Sequence, residues 1–389
     1  MGLLLLFGLT LFLAVLVSEL ADRSVLSTAV LFLAAGVAAG SAGSPMVAGY
    51  TDMPLLGDLA DFALVAVLFT DGMKLGWGEL RQGWTLSGRA LLLGLPLTLG
   101  LTAVFAHGLT ELPVMESVLV AAVLSPTDPV FASAIVGRPG VSGSLRRLLN
   151  VESGLNDGLA LPIVLAILAW GGAQATGGLV SLGELAFGVL LGVTGAWIAV
   201  RVERWRIFRV AHSHEPFLPV AVGLVVFAAA KLSGANEFLA AFAAGVTLIS
   251  GRSGRTGAFH GFSENLAELL KLAALLVFGA LVSVDLLSAQ PAGAYLFAVL
   301  VLVVARPLAL ALSLAGSSLS GRERIAAMWF GPKGFASVVY GLLVYQSGLP
   351  RAADCARLIG LVVVLSIVAH SSTDVLMARW LDRDATRAA

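Results

Sequence analysis

The sequence predicts an all-α polytopic membrane protein of about thirteen transmembrane helices. Three observations carry that reading. Of 389 residues, 58% are hydrophobic and only 12% are charged, against roughly 25% charged in soluble domains. Apolar runs of about 18 residues or more, each long enough to cross a bilayer as a helix, recur from end to end, and the mean hydropathy is +0.94. The basic residues, finally, fall on alternate loops in a way that fixes the span count.

Taken in order between Gly, Pro and charge clusters, the spans lie near 2–19, 24–40, 55–73, 88–108, 114–137, 149–171, 181–200, 216–232, 236–250, 264–284, 293–316, 323–347 and 354–378. The first, "MGLLLLFGLTLFLAVLVSEL", lacks a basic leading region and a small-residue cleavage site, so it reads as a span and not as a signal peptide. Residues 236–250 are short for a span and suit a tilted helix or one under a thin patch of bilayer. Loops after odd-numbered spans, from Arg23 to the tail with Arg379, Arg383 and Arg387, carry 18 Lys and Arg, whereas loops after even-numbered spans carry 3, Lys231, Arg351 and Arg357. That asymmetry predicts an external N-terminus and a cytoplasmic C-terminus. Lys271, Arg306 and Lys333 fall inside spans. Lys271, a turn from a cytoplasmic end, is positioned to snorkel. Arg306 and Lys333 are deeper, where buried charges mark ion pathways or partners of buried carboxylates.

Several function classes drop out. Formal net charge is zero, so nothing suggests nucleic acid as a partner. The single cysteine, Cys355, excludes an internal disulfide and a thiolate metal cluster. No Walker A sequence is present, which argues against ATP-driven pumping, and no cofactor is expected.

The two halves echo one another. "SPTDPV" interrupts the fifth span and "WFGPKGFAS" the twelfth, with Pro126 and Pro332 separated by 206 residues. Pro96 and Pro307 are 211 apart, and Asp157 and His370 are 213 apart. An offset of seven spans would place corresponding helices in opposite orientations, as in the inverted repeats of secondary transporters. Pro126 and Pro129 each remove a backbone donor, leaving Thr127 and Asp128 on unwound chain. At membrane depth such chain is tolerated only in a cavity or packed in protein. Where two such breaks cross, Asp128 is placed to offset the positive helix ends and Lys333 the negative ones.

In the next span Ser153 and Asp157 share a helical face, as do Glu152 and Asn156. A hard cation such as Na⁺ or Li⁺ takes oxygen ligands, which Asp157, the Ser153 hydroxyl, Thr127 and freed carbonyls near it can supply. Burial raises a carboxyl's affinity for a proton while a bound cation favours the ionised form. Proton and cation would then compete for Asp157, and that competition suffices for exchange. Glu152 needs a partner at this depth; Arg306 is the preferred one and Lys333 the second, as a structural ion pair.

"SPTDPV" followed by "ESGLNDG" resembles the sodium/proton exchanger branch of the monovalent cation/proton antiporter superfamily, as do "SGANEFLAAFAAG" (233–245), the "RP" at 306–307 and "GPKG". By that resemblance Asp157 is the ion-carrying aspartate, Asn156 its Asn neighbour, and Thr127 and Asp128 the unwound pair. The Asn-Asp pair implies electroneutral exchange. The resemblance also implies an elevator motion and a homodimer, with a core near 55–172 and 264–378 and a dimerisation part near 1–54 and 181–250. The expected setting is the cell (inner) membrane. Two departures stand out. The family's Phe-Glu-Gly-Gly stretch reads "FTDGMK" here, so that Asp71 either replaces the glutamate with shifted geometry or sits at the cytoplasmic mouth. Lys333 stands where many relatives have arginine, which keeps the charge and loses the planar fork.

K⁺/H⁺ exchange by the same site is the nearest alternative. An intramembrane aspartic protease with Asp128 and Asp157 as its dyad is a further one, but it gives the paired breaks, Glu152 and Arg306 no role. His212 and His214, in the basic loop 201–215, read as head-group contact or as pH sensors. His370 reads as an interhelical hydrogen bond or a sensor. Asp61 suits a funnel lining and Asp58 a solvated position, and "GVAAGSAGSP" (36–45) suits close helix packing.

Overall fold

Helix boundaries follow local chemistry. The computed structural model describes residues 2–18, 28–41, 54–74, 85–128, 141–172, 182–205, 211, 213–251, 257–282 and 287–385, and among these there is no strand. The helices are α1 Gly2–Leu16, α2 Thr28–Ser41, α3 Pro54–Lys74, α4 Thr85–Thr110, α5 Val114–Val123, α6 Gly143–Trp170 and α7 Leu182–Glu203. There follow α8 Phe217–Ser233, α9 Glu237–Gly251, α10 Gly257–Leu281, α11 Ala292–Ser313, α12 Gly321–Trp329, α13 Phe335–Gln346 and α14 Ala352–Ala385. By length and composition α4, α6, α7, α11 and α14 can cross a membrane, and shorter apolar helices accompany them. Pro129, His212, the side chain of Asp58 and many of the loop arginines lie outside the described residues.

Helix starts differ most from expectation where polar residues lead in. The helix α6 begins at Gly143, because Ser142 caps it by accepting the Leu145 N–H on its Oγ. The helix α12 starts with a full capping box between Ser320 and Glu323. The helix α10 starts at Gly257, ahead of the expected 264, so Lys271 lies well inside it. Its side chain does not snorkel: Lys271 is 3% exposed. The three basic residues on the sparse loops all have acidic neighbours, Lys231 pairing with Asp61 at 3.3 Å and Arg351 and Arg357 sharing Asp354.

Both α4 and α11 contain a π turn, at Ala90–Gly94 and Val301–Ala305, each followed two residues later by proline. The π turns share the 211-residue separation of Pro96 and Pro307.

Two compact units emerge. One comprises Met1–Leu56, Gly83–Gly177 and Leu272–Ala389; the other comprises Gly57–Gln82 and Gly178–Lys271. This is a different cut from the functional division expected above, and glycine packing explains it. In the first unit, α2 meets α10 backbone to backbone through Gly36, Gly40 and Gly279. In the second, α3 meets α9 in the same way through Gly72 and Gly245. Small residues allow such approach, and dispersion and packing hold it. The first unit also contains an apolar cluster in which Leu145, Leu148 and Leu149 of α6 meet Leu310, Leu314 and Phe330, joined from the far end of α14 by Leu381.

A Cβ on Gly279 would collide with the Leu33 carbonyl, whereas one on Gly8 meets nothing within 4 Å. Gly279→Val should therefore cost roughly 1–3 kcal/mol, read as a lower Tm of the detergent-solubilised protein, while Gly8→Ala leaves Tm unchanged. Equal Tm values for the two would refute this packing.

Candidate functional site

All residues of the site belong to the first unit. The helix α5 ends at Val123, and Leu124 to Asp128 are non-helical; α12 ends at Trp329, and Phe330 to Gly334 are non-helical until α13 begins. These two breaks touch. The Asp128 N–H donates to the Pro332 carbonyl at 3.0 Å. The Asp128 carboxylate accepts from Phe335 N–H at 3.1 Å, in the first turn of α13. A carboxylate there satisfies an orphan donor and meets the positive helix end. In return, Lys333 Nζ sits 3.5 and 3.4 Å from the Ser125 and Pro126 carbonyls, beyond the C-terminus of α5. The Ser337 hydroxyl donates to the Val123 carbonyl at 2.8 Å. Each break thus supplies the charge that the other break's helix end calls for.

The two glycines of "GPKG" make this crossing possible. A Cβ on Gly331 would collide with the Arg306 guanidinium, and one on Gly334 with the Asp128 carboxylate. Arg306 forms a two-pronged pair with Glu152, at 2.7 and 3.1 Å, and both side chains are 5% exposed. A third guanidinium bond, at 3.0 Å, reaches the Phe330 carbonyl. The ion pair therefore also anchors the start of the second break, a function beyond joining helices.

On α6, one face meets the first break. Asn156 Nδ2 donates to Thr127 Oγ1 at 2.7 Å, and Asn156 Oδ1 accepts from Thr127 N–H at 3.3 Å. Thr127 Oγ1 lies 3.2 Å from Ser153 Oγ. Because Thr127 Oγ1 already accepts from the amide, its own proton is available to Ser153. Asp157 follows Ser153 by one turn and is 4% exposed. Its backbone carbonyl accepts from the Tyr340 hydroxyl at 2.8 Å, close to Pro162, which breaks the bonding ladder of α6. A buried carboxylate and, one turn away, two linked hydroxyls are hard-oxygen groups of the kind monovalent cations accept, while the Ser125 and Pro126 carbonyls face the Lys333 ammonium.

Asp71 lies in the second unit, 5% exposed, with Lys74 Nζ 3.0 Å from its carboxylate. His214 is exposed in a turn, with a ring nitrogen 3.1 Å from Ser213 Oγ. Hydropathy and charge gave no notice of Tyr340, Ser337 or Ser366. Their only signal was a polar atom inside an apolar helix, recurring at helical spacing in α14 as Ser366, His370 and Thr373.

An all-helical membrane chain with paired breaks and a buried carboxylate beside them defines an ion carrier of the secondary-transporter class. The match to known families is of the same kind: residues 8–379 match the transmembrane sodium/hydrogen exchanger family, and the chain belongs to it. The K(+)/H(+) antiporter NhaP2 of Shewanella oneidensis is 26% identical over 377 residues, covering 94% of this chain and 64% of that protein. The chain thus spans just under two thirds of that relative. The probable Na(+)/H(+) antiporter C3A11.09 of Schizosaccharomyces pombe is 30% identical over 202 residues, 48% of this chain and 27% of the relative. The fold matches the sodium proton antiporter MjNhaP1 of Methanocaldococcus jannaschii at pH 8, with a TM-score of 0.75 and 20% identity over 98% of each chain. With Asp128 held as a helix cap and the family a transporter one, the aspartic-protease reading loses its dyad.

Removing Glu152 while leaving Arg306 buried should be costly. Glu152→Gln is expected to lose roughly 3–5 kcal/mol of stability, and replacing both residues by methionine to recover most of it. Tm and folded yield report the outcome, and a double variant no better than Glu152→Gln would refute the assignment.

Proposed function

We propose that the chain is a secondary antiporter exchanging cytoplasmic Na⁺ or Li⁺ for external H⁺ at Asp157. The observation that carries this reading is the placement of a buried carboxylate one turn from the linked Thr127 and Ser153 hydroxyls at an unwound crossing. Glu152 is committed to Arg306, and Asp128 to the start of α13. Asp157 shares the α6 face of Ser153, one turn further on. Cation and proton compete for it, so each half-cycle carries one or the other and the exchange is electroneutral. Asn156 orients Thr127 and adds no charge.

The two breaks and their supporting helices would move as one body that carries the site across the membrane in an elevator motion. The matching separations of the π turns and prolines support an inverted repeat as the basis of that motion. The homodimer and the inner-membrane location belong to the same proposal, on family resemblance. One observation favours a second cation: the similar Shewanella oneidensis protein is named a K(+)/H(+) antiporter. K⁺/H⁺ exchange at the same site is therefore the second reading.

Everted vesicles with an imposed pH gradient separate these readings. Adding Na⁺ or Li⁺ should dissipate the gradient, and Asp157→Asn should abolish the response. Dissipation by K⁺ alone would select the second reading, and silence with all three ions between pH 6 and 9 would end the antiport reading. Competition also has a pH signature: below the apparent pKa of the site, half-saturating cation should rise about tenfold per unit of acidification. A half-saturation constant that ignores pH would contradict a shared carboxylate.

A further inference from the structure

Three polar side chains of α14 face the second break at helical spacing: Ser366, His370 and Thr373. The ion-site reading makes no use of them. The Lys333 N–H donates to Ser366 Oγ at 2.7 Å. His370 Nε2 lies 3.1 Å from the Trp329 carbonyl, and its Nδ1 lies 2.8 Å from the Ser366 carbonyl and 3.2 Å from Ser366 Oγ. The Trp329 indole N–H donates to Thr373 Oγ1 at 2.9 Å, and its ring lies beside the imidazole, 5.2 Å between centroids. Ser366 and His370 are 0% and 2% exposed, so bulk water cannot stand in for either. The break is therefore gripped at both ends, at Trp329 where α12 stops and at Lys333.

The geometry points to Ser366 and His370 as positioning residues for cation exchange. They hold the backbone from Trp329 to Lys333, and with it the Lys333 ammonium over the first break and the Phe335 N–H on Asp128. Without the grip, the second break keeps the Arg306 bond at Phe330 and the Asp128 bond at Pro332, but the Trp329 carbonyl and the Lys333 N–H lose their partners on α14. The hydroxyls of Thr127 and Ser153 then face a crossing whose geometry is no longer fixed, and cation binding weakens. The role uses the neutral tautomer with its proton on Nε2, which donates to the Trp329 carbonyl while Nδ1 accepts from the Ser366 hydroxyl; it needs no charge, so an amide can replace the imidazole. The inference rests on the antiport reading.

The test uses purified full-length protein and the variants Ser366→Ala, His370→Leu and His370→Gln. Two quantities are read: deuterium uptake of peptides covering 329–335, and cation half-saturation against maximal exchange rate in proteoliposomes. Ser366→Ala removes the acceptor of the Lys333 N–H, so uptake at that amide should quicken about tenfold or more. Ser366→Ala and His370→Leu should raise half-saturating cation roughly fivefold, with the maximal rate per folded transporter within about twofold. His370→Gln, which keeps a donor for the Trp329 carbonyl, should stay near wild type in both readouts. Unchanged uptake and half-saturation in Ser366→Ala and His370→Leu would overturn the proposal. So would faster uptake with an unchanged half-saturation constant, which marks a merely structural contact, or a His370→Gln that behaves as His370→Leu does. A wild type that exchanges no cation sinks the antiport reading instead, and the deuterium comparison alone then decides whether the grip exists.

Discussion

The contact between the two unwound segments, 124–128 and 330–334, is the constraint on which the rest of the first unit depends. A helix stopped inside an apolar protein leaves backbone donors and acceptors that no water can reach, each costing several kcal/mol. Here the groups at each stop find partners on the other break. The Phe335 N–H meets the Asp128 carboxylate, the Val123 carbonyl meets Ser337, and the carbonyls after α5 face the Lys333 ammonium. The bonds are reciprocal, so neither break is stable without the other. That explains Gly334 of "GPKG", where a side chain would strike Asp128 and push the segments apart; Gly331 makes room for the Arg306 guanidinium instead.

Charge is divided by task around this contact. Glu152 and Arg306 neutralise each other and pin the Phe330 carbonyl. Asp128 and Lys333 serve helix ends. Asn156 and Ser153 bond to Thr127 without adding charge, while Asp157, buried on α6, lies within the electrostatic reach of the Lys333 ammonium.

Much of this was legible in the residues, for a physical reason. A charge in apolar sequence has few possible partners, so Glu152, Arg306, Asp128 and Lys333 announce themselves and nearly dictate their pairing. Neutral hydroxyls do not. Tyr340, Ser337 and Ser366 cost little to bury, and their bonds depend on where two backbones cross, which hydropathy cannot show. Lys271 was misjudged because "GAFHGFSENLAELL" begins α10 with polar residues, so that the helix starts ahead of its apolar run. The two compact units were hidden likewise: helices inside each one meet at glycines whose contribution is the absence of a side chain.

The π turn in α11 has a consequence for angular phase. One extra residue in a helix turns everything beyond it by about 100° relative to an uninterrupted α-helix. Arg306 is the first residue after that turn. Its aim at Glu152 is thus set by Val301–Ala305 as much as by its own side chain. A chain one residue shorter there would be regular, well bonded and just as apolar, and would point its guanidinium away from Glu152.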